Sequence, residues 1–161
     1  MRVRPVPLFV ASALAVMGCQ SPPAELSPDD IATIRGMFDT TVEAFNSGNL
    51  EPWVAQWAED AVLQPPNAPM VEGREAIAAW GEGFPDVEEI TFPDVRVWGS
   101  GNLAWGTSAY SLTLAGVAPD TGKQLVVFRR SEAGGWEVVA GSFSSDLPIP
   151  EPDAGADTTS G

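Results

Sequence analysis

The most restrictive feature of this sequence is the order of its patterns, because helical periodicity comes first and strand-forming segments follow. Ser27 precedes a proline and two aspartates, which is typical of a capped helix start. Apolar residues then recur at helical spacing as far as Gly48, a residue suited to a left-handed helix end. Shorter helices are predicted over about 50–58 and 74–80, with a short strand at 61–64 between them.

The remainder of the sequence predicts a sheet. Segments rich in β-branched and aromatic residues alternate with glycine-rich turns, and the predicted strands cover 87–98, 103–115, 124–131 and 136–145. Pro93 cannot donate to a ladder, so its strand should be bulged there or lie at an edge. Helices followed by long antiparallel strands indicate an α+β domain. Because a strongly twisted sheet curls, we expect a conical fold, with three N-terminal helices packed on a curved, mostly antiparallel sheet.

The first residues of the chain indicate export. Arg2 and Arg4 precede an apolar stretch over 5–17, which is too short to cross a hydrocarbon core of about 30 Å comfortably. A basic start, a short apolar region and a small residue before a cleavage point are the three parts of a signal peptide. We therefore assign residues 1–18 to a signal peptide.

Cys19 is the only cysteine, so no disulfide can form within the chain. Residues 16–19, Val-Met-Gly-Cys, resemble the bacterial lipobox, in which the chain is cut before a cysteine that carries a diacylglyceryl group. The resemblance implies lipidation at Cys19 and attachment to a membrane through that lipid. It places the protein at the bacterial cell envelope, on the inner or outer membrane and facing the periplasm. A free or intermolecular thiol is the alternative.

Composition divides the rest of the chain into three parts. In the predicted lipoprotein, residues 19–26 form a tether, 27–147 form one folded domain, and the proline-rich and polar residues 148–161 form a disordered tail. The formal net charge is −14, and removal of the signal peptide makes it more negative because that segment holds two arginines and no acid. A surface this acidic repels phosphate backbones, so no nucleic-acid partner is expected.

Four short motifs resemble the nuclear transport factor 2-like superfamily, which includes SnoaL-like cyclases, ketosteroid isomerases and domains of unknown function. They lie in order at 44–50, 57–63, 71–77 and 135–139. The resemblance covers essentially all of residues 27–147. It implies a conical α+β domain, often dimeric, with a pocket between the helices and the concave sheet. Fold alone supplies no function.

The residues available for catalysis are few. The catalytic positions of the family's isomerases fall at Thr41, Pro65 and near Val126, and none of these carries the required acid or phenol. The chain has no histidine, and its one cysteine is at the proposed lipid anchor, so histidine- and thiol-dependent catalysis in the domain is excluded. No metal or cofactor is expected. Whether the protein is an enzyme stays open, but the missing catalytic groups favour a protein that is not an enzyme.

Tryptophans and polar strand residues provide the candidate ligand site. If the inner face of the sheet is chosen by alignment with the family, the predicted pocket wall contains Trp53, Trp57, Trp80, Trp105, Thr107, Arg130 and Ser142. The alternative for each tryptophan is ordinary core packing, and the alternative for Arg130 is an ion pair with surface acids. A one-residue slip would exchange the two faces of a strand.

Three functions remain open at this stage. The leading hypothesis is non-catalytic binding of a small apolar or aromatic molecule in the cone. The second is a cyclase- or isomerase-type enzyme that uses an unrecognised pocket acid such as Asp60. The third is a protein-interaction module that works through its sheet surface. The same choice of faces predicts a homodimer through an apolar outer face made of Tyr110, Leu112, Leu114, Val127, Val139 and Phe143.

Lipidation can be tested directly. A fatty-acid probe fed to cells should label the wild-type protein and leave the Cys19→Ser variant unlabelled, because only the Cys19 thiol can accept the diacylglyceryl group. Equal labelling of the two proteins would contradict the lipobox interpretation.

Overall fold

The computed structural model describes residues 24–148, so the predicted signal peptide, Cys19, most of the tether and nearly all of the predicted tail lie outside the described residues. Within this range the chain forms three helices and seven strands that alternate as follows: α1 Pro28–Ser47, α2 Glu51–Ala55, β1 Trp57–Gln64, β2 Val71–Glu72, α3 Arg74–Glu82, β3 Val87–Thr91, β4 Arg96–Ser100, β5 Leu103–Leu114, β6 Asp120–Arg130 and β7 Trp136–Ser145. The α+β class and the three N-terminal helices are confirmed. No helix within residues 24–148 combines the length and apolar character needed to cross a membrane.

One sheet contains all seven strands, in the order β2-β1-β7-β6-β5-β3, with β4 also paired to β5. Every pairing is antiparallel except that of β1 with β7. The long strand β5 holds β3 along one half and β4 along the other. The predicted strand over 87–98 is therefore two strands, and the break falls at Pro93 and Asp94, where Asp94 has a positive φ of 58°.

The helices share one core with a single face of the sheet. Ile34 and Phe38 of α1 and Ile77 of α3 are buried with Ala104 and Phe128 from the sheet. Among residues 24–148, no helix packs on the opposite face of the sheet.

Both ends of α1 are attached to the sheet by side-chain hydrogen bonds. At the start, Ser27 and Asp30 form a reciprocal capping box. Asp30 Oδ1 also accepts from Trp136 Nε1 at 3.0 Å and from Arg130 Nη2 at 2.9 Å. These donors, Trp136 first, hold the pKa of the Asp30 carboxyl well below its usual range. At the far end, Asn46 exchanges two hydrogen bonds with the backbone of Ile90 in β3.

The second helix is shorter than predicted, and β1 is correspondingly longer. The spacing of Trp53 and Trp57 suits one helix face, yet α2 ends at Ala55 and Trp57 begins β1. The reason is tertiary: the Val138 N–H donates to the Gln56 carbonyl at 2.8 Å, and Trp57 pairs with Val138 across the parallel ladder. The backbone at this point is therefore drawn into the sheet.

The predicted inner row of β5 is wrong by one residue. Ala104, Tyr110 and Leu112 are buried on the helix side, whereas Trp105 is 43% exposed. Because side chains alternate along a strand, Thr107 also points away from the helices. Small residues such as Gly106 occupy the inner face where α1 packs, and the bulky Trp105 is excluded from it.

A β-bulge changes the predicted inner row of β7. Val138 faces the helices, but Val139 is an extra residue between the pairs Phe128↔Val138 and Val127↔Ala140. Beyond the bulge the parity shifts, so that Gly141 and Phe143 occupy the inner row opposite Val126 and Gln124. The predicted outer apolar face is therefore wrong for Phe143, and the parity of β5 makes it wrong for Tyr110, Leu112 and Leu114 as well, since all four pack on the inner side.

Gly106 is required for the close approach of α1. A Cβ at this position would lie 2.8 Å from two carbon atoms of the Phe38 ring. We expect Gly106→Ala to lower the free energy of unfolding by about 1–3 kcal/mol, because the buried ring must move. The measurement is urea unfolding.

Gly36 provides the matched control. It lies inside α1, and a Cβ there would meet nothing within 4 Å. Gly36→Ala should raise the free energy of unfolding by up to about 1 kcal/mol through helix propensity. Equal effects of the two substitutions would contradict the packing argument.

Candidate ligand-binding cavity

A cavity of about 110 Å³ lies between the three helices and the inner face of the sheet. Most of its wall is aromatic, with rings from all three helices and from the sheet: Phe38, Phe45, Trp53, Trp57, Trp80, Phe84, Phe92, Tyr110, Phe128 and Phe143. Aliphatic side chains complete much of the remainder: Met37, Leu63, Ile90, Leu112, Val126 and Val138. The site is therefore built from the same residues that form the core.

Edge-to-face contacts hold several of these rings in place. Trp53 meets Trp57 at a centroid distance of 5.7 Å and an interplanar angle of 80°, and Phe143 meets Trp80 at 6.0 Å and 65°. Tyr110 approaches Phe143 in the same manner at 6.3 Å. Such pairs stabilise defined ring orientations, so the wall is largely preformed.

Size limits what the cavity can hold. An apolar cavity of about 150 Å³ accommodates one benzene molecule, and pockets for drug-sized ligands span about 300–1,000 Å³. At about 110 Å³, this cavity is smaller than the one that accommodates benzene, so it holds one small ring at most.

Three polar side chains on the wall donate to protein acceptors. Thr41 Oγ1 donates to the Met37 carbonyl at 3.0 Å, within α1. Gln124 Nε2 donates to Ser108 Oγ at 2.8 Å, and the Tyr110 hydroxyl donates to Asp120 Oδ2 at 2.8 Å. Burial, followed by the nearby Asp120 carboxylate, raises the pKa of the Tyr110 phenol above its usual range, so it stays protonated.

Two further side-chain donors on the wall have no acceptor within the described residues. Gln56 and Trp57 both line the cavity, and within residues 24–148 the buried atoms Gln56 Nε2 and Trp57 Nε1 have no hydrogen-bond partner. Buried polar groups are seldom left unpaired in native proteins. Sequence reasoning missed Gln56 altogether, because nothing in its local pattern distinguishes it from an exposed helix residue.

Charged groups stay outside the cavity. Among the described residues, no acidic or basic side chain lines it. Asp60, the acid proposed for an enzymatic mechanism, is exposed and bonded to Arg129 at 2.9 and 3.1 Å, which lowers the pKa of its carboxyl. Glu59 and Glu72 are likewise exposed.

The structure brings together some of the predicted pocket residues and separates others. Trp53, Trp57 and Trp80 line the cavity, and Ser142 borders it even though its sheet partner Leu125 faces outward. Trp105 and Thr107 do not line it, because β5 has the opposite parity to that predicted.

Arg130 is also absent from the cavity wall. Its inward parity is as predicted, but its guanidinium pairs with Asp30 and lies 4.4 Å from the centre of the Trp136 ring. Among the positions aligned with isomerase catalytic residues, Thr41 and Val126 line the cavity and Pro65 does not.

Comparison with known proteins supports the fold. The family model of the SnoaL-like domain matches residues 38–143. No curated protein matches the sequence.

Solved structures of similar shape include a ketosteroid isomerase-like protein from Erwinia carotovora atroseptica SCRI1043, with 23% identity, a TM-score of 0.64 and coverage of 76% of this chain and 100% of that one. An NTF2-like protein from Pseudomonas putida KT2440 matches with 18% identity, a TM-score of 0.68 and coverage of 77% and 92%. A protein with a cystatin-like fold from Nostoc punctiforme PCC 73102 matches with 15% identity, a TM-score of 0.68 and coverage of 78% and 98%. At these identities the likeness concerns the fold.

Proposed function

This chain belongs to the SnoaL-like domain family, and we propose that it binds a small apolar or aromatic molecule in the cavity between helices and sheet without catalysing a reaction on it. The observation that carries the proposal is a preformed, uncharged and largely aromatic wall around a space for one ring. Concave apolar sites with a few polar groups are typical of small-molecule binding.

The chemistry of the wall favours binding over catalysis. General acid–base catalysis needs a group that exchanges a proton near neutral pH. Tyr110 is the titratable residue on the wall, and its hydroxyl is protonated and engaged with Asp120. The cyclase or isomerase alternative therefore lacks an acid in the cavity, since Asp60 lies outside it.

We further propose that the protein acts at the bacterial cell envelope as a lipoprotein. The support is the basic and apolar segment before Cys19 and the lipobox-like residues 16–19. A tether over 19–26 would hold the domain near the membrane surface, where apolar molecules partition.

A homodimer is proposed through the outer face of the sheet, as first predicted, but with different residues on that face. On the side of the sheet without helices, Trp98 pairs directly with Trp105, and these side chains are 44% and 43% exposed. Leu103 and Leu125 extend the same face, at 52% and 45% exposed. Exposed apolar patches on a sheet mark interfaces, and the same patch on two copies can pack symmetrically. The interaction-module alternative would use this face for another protein.

Ligand binding can be tested with two adjacent residues of β6. Val126 lines the cavity, whereas Val127 pairs with the outward-facing Trp105. Toluene at ten times its Kd should stabilise the wild-type protein by about 1.4 kcal/mol, which is a few degrees in Tm. Val126→Phe fills the cavity and should abolish the shift, and Val127→Phe should retain it. A shift that survives in Val126→Phe would place toluene elsewhere.

Self-association has its own pair of variants. Trp105→Glu adds a charge to the centre of the exposed patch and should move the sedimentation coefficient from dimer to monomer at micromolar concentration. Ala32→Glu adds the same charge on an exposed position of α1 and should leave the dimer intact. A monomeric wild-type protein would contradict the proposed interface.

A further inference from the structure

Two unpaired donors occupy neighbouring positions in the wall of the cavity. Trp57 is 5% exposed, and its Nε1 has no acceptor within the described residues. Gln56 Nε2 is also buried and has no acceptor within the described residues, and both residues line the cavity. Burying a donor without a partner is unfavourable, so an acceptor from outside the protein would remove a real penalty.

The backbone holds these two residues in place. The Gln56 carbonyl accepts from the Val138 N–H at 2.8 Å, and the Trp57 carbonyl accepts from Arg74 Nε. The Trp57 ring lies against Gly141, where a Cβ would be 2.8 Å from its Cη2 atom. Donors on such an anchored segment are preorganised for an acceptor, which lowers the entropy lost on binding.

The other polar groups of the wall do not compete. The donors of Thr41, Tyr110 and Gln124 already bond to protein acceptors. Ser142 also borders the cavity, but it lies at a strand position whose partner, Leu125, faces outward. Gln56 and Trp57 are therefore the wall residues whose buried side-chain donors lack an acceptor within residues 24–148.

The absence of charged side chains from the described cavity wall indicates that the acceptor group of the ligand is neutral. Among residues 24–148 no basic side chain lines the cavity, so a bound carboxylate would be desolvated without a counter-ion. A carbonyl oxygen is neutral and has two lone pairs, so it can accept from an indole N–H and an amide N–H together.

We propose that the ligand class is a neutral, single-ring carbonyl compound whose oxygen accepts hydrogen bonds from Trp57 Nε1 and Gln56 Nε2. This rests on the proposed function, since it names the chemistry of a ligand for the same cavity. The ring occupies the aromatic part of the wall, and the volume of about 110 Å³ excludes fused-ring ligands without rearrangement.

Two probes of matched shape test the proposal. Cyclopentanone carries a carbonyl, and methylenecyclopentane replaces that oxygen by a methylene group; both are about the size of benzene, which suits the volume of the cavity. Calorimetric titration of the full-length protein should show cyclopentanone binding about fivefold to tenfold more tightly than methylenecyclopentane, the range expected for a net hydrogen bond. Trp57→Phe and Gln56→Met should each reduce that ratio towards one.

The ratio of the two affinities distinguishes recognition of the carbonyl oxygen from the fit of the ring. A change in cavity shape alters the affinity for both probes, whereas loss of a hydrogen bond weakens binding of the carbonyl probe alone. Thr33→Val is the control: it removes a hydroxyl that donates to the Asp29 carbonyl on the exposed side of α1, away from the cavity, and the ratio should not change. If both probes bind equally, or if the ratio survives in both donor variants, carbonyl recognition is wrong while binding in the cavity stands. If neither probe binds the wild-type protein, the proposed function fails together with this inference.

Discussion

The packing of α1 against the inner face of the sheet is the constraint on which the rest of the structure depends. Asp30 attaches one end of the helix to Arg130 and Trp136, and Asn46 attaches the other end to the backbone of β3. Between these ends Phe38 contacts Phe128 at a centroid distance of 5.8 Å over the gap left by Gly106. The cavity is the space that remains beside this packed region.

Electrostatics and burial divide the molecule into an acidic exterior and an uncharged interior. Ion pairs such as Asp60–Arg129 and Lys123–Asp146 lie at exposed positions, where they contribute little to stability. Inside, the wall presents aromatic rings and two unused N–H groups. We propose that a site of this composition recognises shape and a neutral acceptor, since no acidic or basic side chain among residues 24–148 lines it.

The two faces of one sheet carry different parts of the proposed function. On the inner face, Tyr110 and Phe143 close the cavity, and on the outer face Trp98 and Trp105 form an exposed apolar pair. Because consecutive residues of β5 point to opposite sides, a shift of one residue would exchange these roles. The bulge at Val139 then lets β7 place both Val138 and Phe143 inside.

Local patterns in the sequence determined the fold class, the capped start of α1 at Ser27, its end at Gly48 and the extent of β7, because caps, periodicity and turns depend on neighbouring residues. They also identified Trp53, Trp57 and Trp80 as candidates for the wall. The tertiary structure decided which face of β5 meets the helices, since a strand with apolar residues on both sides is compatible with either choice. It also drew residues 56 and 57 from a helical pattern into pairing with Val138, which placed two donors in the cavity wall. Long-range backbone pairing and the fit of Phe38 over Gly106 are not encoded in any short stretch of sequence, so only the folded chain could place the site.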